Sequence, residues 1–401
     1  MAPQPTFTSP ADIYSPFAYT GPGASTENGL QGIKQAPGRN RYVLTGTSGN
    51  ISNAGQGSVY VGRIDAASTA KGSGSGSWVL LDVPDSWDAP SSSIYGPGAI
   101  EAGKGQGGIR SIQLAGTYTQ AVSVDEKEAY TTLGFLYEGP LTSQPLDNDF
   151  TAFSATRPDG GATVDTFLHS WSGRLVAGNY TLSNSFLAIT LNTSIDSSAF
   201  VYDTVTGQQV NLTYQDDSTS HTAFGIWDNG KQSWSDNKRT YTIAGGRSIN
   251  DPAFKKQGAI IGEALGAATL VDYDPVTGQT FNLRSYQYNN DKENIYLTHF
   301  EGIYYAGNGI YQMPFTASSV EGDFAGTAYV KRLGNGRFSR DALWTTFDAG
   351  SEGSIASNDS SAGRGSVGLI NSGNSGEIVP YASIFNGGAF RELLAEAQTL
   401  R

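Results

Sequence analysis

The chain has 401 residues, a net charge of −12 and no cysteine, which excludes disulfides and thiolate metal sites. Its acidity argues against nucleic acid and anionic membranes as partners, since both select basic surfaces, and no apolar run approaches the roughly 18 residues a spanning helix needs. Charged residues are sparse at 15%, aromatics reach 11% and 51 residues are glycine, a composition of strands and turns rather than helices.

Residues 1–27 are rich in Pro, Ser, Thr and Gly and read as a loose arm or a ring-closing strand. Ile13, Phe17 and Tyr19 are its residues able to pack. From residue 28 a four-strand unit recurs. Its second strand is seen in Tyr42-Val43-Leu44-Thr45-Gly46-Thr47, Leu114-Ala115-Gly116-Thr117 and Val176-Ala177-Gly178-Asn179. The third returns as Ser58-Val59-Tyr60-Val61-Gly62, Ala199-Phe200-Val201-Tyr202-Asp203 and Thr269-Leu270-Val271-Asp272-Tyr273-Asp274. Two copies run on into Thr206-Gly207 and Thr277-Gly278, where glycine supplies the positive φ of a tight hairpin. The first strand carries x-Gly-Ile or x-Gly-Pro: Gln31-Gly32-Ile33, Tyr95-Gly96-Pro97, Phe224-Gly225-Ile226 and Glu301-Gly302-Ile303. The copy at 166–175 lacks the glycine, and the last copy, from about Ser351, is degenerate.

Units starting near residues 28, 92, 166, 221, 296 and 351 predict an all-β fold, a six-bladed β-propeller of four-stranded antiparallel blades over 28–388. Five or seven blades are the alternatives. The sixth unit lacks a clear fourth strand, which the arm could supply. Residues 389–401 form a tail whose Phe390–Ala397 stretch has helical spacing.

Gly134-Phe135-Leu136-Tyr137-Glu138-Gly139 and Ala199-Phe200-Val201-Tyr202-Asp203 resemble the third strand of the extracellular repeats named for a His-Ala-Phe signature. Tyr273-Asp274-Pro275-Val276-Thr277-Gly278 resembles a kelch-type hairpin. The resemblance covers most of residues 28–385 and implies a secreted propeller. The signature's histidine is absent here, so no catalytic residue carries over.

The three histidines, His169, His221 and His299, all fall on first strands, which a propeller turns toward its axis. There they could act as acid–base imidazoles, hold a divalent metal together, or pack between blades. His299 precedes its glycine by three residues and His221 by four, so strand alternation sends them to opposite faces unless a bulge intervenes. Glu301 shares the parity of His299 and could orient it. Tyr95 precedes Gly96 as Glu301 precedes Gly302.

The expectation is a secreted, monomeric, carbohydrate-active propeller. His299 and Glu301 would be its acid–base pair, helped by His169, His221 and Tyr95, with Trp171 and Trp227 as sugar platforms. A lyase would use Arg110 or Arg174 on a uronate carboxylate. A glycoside hydrolase would pair Glu301 with an aspartate of another blade, among Asp82, Asp85, Asp88 and Asp359. The rivals are a lectin-like glycan-binding module and a surface protein without pocket chemistry.

Overall fold

The computed structural model describes residues 7–9, 11–19, 28–49, 55–65, 76–124, 127–181, 197–214, 220–248, 266–291, 294–319, 322–348, 353–372 and 377–401. Its described strands form six antiparallel blades: four are separate four-stranded sheets, and blades 4 and 5 join in one ten-stranded sheet that also takes a parallel arm strand. Their inner strands are Asn28–Gln35, Ser91–Ala102, Asp165–Ser172, His221–Lys231, Ile295–Phe300 with Tyr304–Gly307, and Gly353–Ala362. The strands of blades 4 and 5 pair at one parallel position, Gly266 with Leu297. The inner strand of blade 6 packs on that of blade 1 and closes the ring.

Each wedge between neighbouring blades holds its own apolar cluster, six in all among the described residues. The second strands explain how. Tyr42–Ser48 and Leu175–Thr181 are buried at every position, because they are covered on both faces. Glycine recurs there because the inner strand leaves no room: a Cβ on Gly46 would stand 1.9 Å from the Gly29 carbonyl. The two Thr-Gly hairpins are built alike. Gly207 and Gly278 adopt φ of 71° and 72°, and Asp203 and Asp274 each accept from the two following turn amides.

The amino-terminal arm ties three blades together. Phe7–Ser9 runs parallel to Leu343–Phe347 at the edge of blade 5. Ala11–Tyr14 pairs antiparallel with Ile378–Phe385 as the outer strand of blade 6. Phe17 is then fully buried, edge-on to Tyr60 of blade 1 at 5.1 Å. At the other end, the helix Gly387–Ala397 is capped by Asn386 and buries Leu393 and Ala397 against blades 5 and 6.

Between blades 4 and 5 lies a buried ion pair that the sequence did not reveal. Arg332 donates to both oxygens of Asp272, at 2.8 and 2.7 Å, and also to Thr242, Tyr311 and the Gly336 carbonyl. Its guanidinium stacks on Trp234 at 4.1 Å and on Phe338 at 4.3 Å. Such a pair holds only when every donor is met, as here.

Candidate active site

Each inner strand carries one extra residue at an equivalent level. Register slips fall between Leu30 and Gly32, Ile94 and Gly96, Leu168 and Ser170, Ala223 and Gly225, and Asn358 and Ser360. In blade 5 the strand breaks instead: Phe300 pairs Phe315 and Tyr304 pairs Gln312, so three residues face two. A bulged residue leaves the ladder and its side chain is re-aimed. The six residues so freed are Gln31, Tyr95, His169, Phe224, Glu301 and Asp359.

The glycine after the bulge is set by close approach of the next blade. A Cβ on Gly32 would stand 2.0 Å from the Tyr95 carbonyl, and one on Gly96 would stand 2.2 Å from that of His169. Serine replaces glycine in blades 3 and 6 and reaches the next blade with its hydroxyl. Ser170 accepts from the amide of Ile226, and Ser360 from that of Ile33, both at 3.3 Å.

The six side chains form a ring around the axis. Tyr95 meets His169 edge-to-face at 4.8 Å, and His169 meets Phe224 at 4.7 Å. Phe224 meets His299 at 5.7 Å, and His299 Nε2 lies 2.6 Å from Glu301 Oε1. The Glu301 charge acts on Asp359, and the Asp359 charge acts on Tyr95. Gln31 and Thr117 stand beside the Tyr95 hydroxyl. His299 and Glu301 keep 27% and 17% of their side chains exposed, so the pair is recessed yet open to solvent.

The electrostatics divide the two carboxyls. Burial and the neighbouring Glu301 charge push Asp359 up to about 7. Burial would raise Glu301 as well, but His299 outweighs it and holds Glu301 below the ordinary carboxylate value. For His299, burial is outweighed by the Glu301 and Asp359 charges, and its pKa is raised. Burial brings His169 down to about 4, against a smaller pull from Glu301, so it is neutral above that pH. The hydroxyls of Thr316 and Ser357 stand beside Glu301 and Asp359 and pull each carboxyl downward, a smaller influence than burial.

Of the residues expected from sequence, the structure brings Tyr95, His169, His299 and Glu301 together. His221 is a correction. Thr222 pairs with Gly246, whose Cβ direction faces His299, so the side chain before Thr222 points the other way. His221 lies edge-on to Tyr214 at 4.4 Å, on the blade 3 side. The parity difference was real, and the bulge at Phe224 comes too late in the strand to undo it. With His221 on the other face, the three-histidine metal site does not form, and no group of three metal-binding side chains occurs among the described residues.

Arg110 and Arg174 are corrections too. Arg110 pairs with Glu101 on the surface, the two side chains being 66% and 53% exposed. Arg174 sits past the inner-strand hairpin of blade 3 and pairs with Asp203 at 3.1 Å. Neither borders the ring. Trp171 is buried and donates to the Gly173 carbonyl, and Trp227 packs on Tyr304 and Tyr305. Both fill the structure beyond the ring rather than face it. Asp82, Asp85 and Asp88 flank Trp87, which packs on Tyr118 and Phe150 of blade 2.

Gln31 and Phe224 were missed, although the x-Gly signature had already marked both positions. Of Asp82, Asp85, Asp88 and Asp359, the last stands near enough to Glu301 for that charge to act on it.

No family model matches the sequence, and no curated protein matches it. Among solved structures, a mutant of Trypanosoma rangeli sialidase displaying trans-sialidase activity aligns at a TM-score of 0.53 and 8% identity, over 98% of this chain and 62% of that one. Trypanosoma rangeli sialidase in complex with sialic acid gives 0.50 and 9%, over 98% and 61%. An α-L-arabinofuranosidase from Lactobacillus brevis gives 0.40 and 9%, over 77% and 92%. The chain spans less than two thirds of either sialidase. At these identities the likeness is one of fold: the protein is a six-bladed β-propeller with a polar, ionisable ring at its axis.

Proposed function

We propose that the axial ring hydrolyses a glycosidic bond, with Asp359 as general acid and Glu301 as its anionic counterpart. The observation that carries this reading is the division of the two carboxyls, one held protonated up to about pH 7 and one held ionised. Glycoside hydrolysis needs that pair: an acid to protonate the leaving oxygen and a carboxylate to face the positive charge that develops on the sugar. His299 fixes one Glu301 oxygen and keeps the carboxylate ionised, leaving the other oxygen for the reaction. It is a positioning residue here rather than the acid itself.

His169 has no hydrogen-bond partner among the described residues and is flanked by Tyr95 and Phe224. A neutral imidazole between two aromatic faces suits a sugar hydroxyl, with the rings as apolar platforms. Hydrolysis is favoured over β-elimination because Arg110 and Arg174, the cations a uronate would need, lie away from the ring. The resemblance of its third strands to extracellular repeats fits a saccharide met outside the cell.

The test is a screen of aryl glycosides and polysaccharides with the wild-type chain and with Asp359→Asn and Glu301→Gln. Turnover should appear with at least one substrate and fall about 10²–10⁴-fold in each variant, while substrate affinity persists. Saturable sugar binding without turnover by the wild type would make the ring a lectin site instead.

A further inference from the structure

A second hollow opens at the hairpin ends of the inner strands of blades 1, 5 and 6. It lies four residues past Asp359 on blade 6, about 13 Å along a strand. Two adjoining cavities, of about 350 and 370 Å³, share Asn40, Tyr42 and Arg364 as lining. Arg41 lines the first and Arg39 the second, while Tyr304 and Phe390 wall the first.

The charge of this place is unlike the rest of the chain. Acidic residues outnumber basic ones by 37 to 25, yet Asp65, in the second cavity, is the one acid among the described lining residues. None of Arg39, Arg41 and Arg364 has a carboxylate partner among the described residues. Arg41 uses one nitrogen on the Gly107 carbonyl, and Arg364 uses Nε on the Phe385 carbonyl. Backbone bonds thus hold both guanidinium groups in place, and their other donors have no partner among the described residues. Arg364 also lies beside Gly387, the first residue of the carboxy-terminal helix, whose dipole adds positive potential at that end.

Fixed guanidinium forks recognise oxyanions, and flanking aromatic rings pack on the faces of sugars. We propose that this hollow binds an oxyanion carried on a saccharide: a sulfated, phosphorylated or carboxylated sugar. The site is separate from the axial ring and does not depend on the hydrolytic reading.

Isothermal titration of the full chain with glucose 6-sulfate, glucose 6-phosphate, glucuronate and neutral glucose tests it, with inorganic sulfate as a further probe. At least one anionic sugar should bind saturably and more tightly than inorganic sulfate, and the one that does identifies the oxyanion. Neutral glucose should not compete. Affinity should fall at least about tenfold in Arg41→Gln/Arg364→Gln and weaken with rising salt. It should persist in Asp359→Asn, and the double arginine variant should keep whatever axial turnover the wild type has. Arg39→Gln, at an exposed side chain, gives a smaller loss and guards against misfolding of the double variant. Absence of saturable binding, equal binding of neutral glucose or of inorganic sulfate, or unchanged affinity in folded arginine variants would overturn the proposal.

Discussion

Asp359→Asn separates the demands of the axial site from those of stability. Asp359 titrates near 7 in the folded chain against a reference of 3.8. Below its unfolded pKa the carboxyl is neutral in both states and has no effect. Between 3.8 and about 7 only the unfolded chain ionises it, so stability falls as pH rises and levels off above 7. A shift of about three pKa units corresponds to about 4 kcal/mol. Asp359 is only partly buried by area, so water offsets some of this and about 2 kcal/mol is the better expectation. Asparagine keeps the shape without the charge. In thermal unfolding the variant should melt about 2–3 °C above the wild type at pH 8 and level with it at pH 4, while turnover is lost at both. The trade of stability for activity is familiar at active sites. An equal shift at the two pH values, or a lower melting point at pH 8, would refute the electrostatic argument.

Further expectations follow from the same geometry. The turnover of the wild type should decline above about pH 7 as Asp359 ionises, and its acid limb should lie below the usual carboxylate range. His299→Gln should move that acid limb upward, since Glu301 loses the group that keeps it ionised; a pH–rate profile reads both limbs. Arg332→Met leaves the Asp272 carboxylate buried without its partner and should cost about 3–5 kcal/mol in denaturant unfolding. Phe17→Ala empties a fully buried site between arm and blade 1 and should cost about 3–5 kcal/mol, read the same way.

The repeat was legible because third strands and Thr-Gly hairpins are local patterns, and six clusters in six wedges follow from them. The axial ring was legible in part. The x-Gly pair marks the bulge in four blades, and Gln31 and Phe224 were passed over because an amide and a phenyl ring announce no chemistry. In blades 3 and 6 serine stands where glycine does elsewhere, so His169 and Asp359 could not be aligned with Tyr95 and Glu301. His221 misled because it shares a strand with the ring but lies three residues before its bulge, on the opposite face. The pairing of Arg332 with Asp272 spans 60 residues and two blades, and no local pattern encodes it.

The arm sets an order on assembly. Residues 11–14 precede every blade in the chain, yet their strand partners are residues 378–385. The other three strands of blade 6 all lie within residues 353–385, so the arm strand has no sheet to join until the five other blades have been made. Contacts of such sequence separation are slow to form, so the clasp between first and last blades should lock late, after the other sheets have folded. Opening that seam would then loosen the circle without melting its individual sheets.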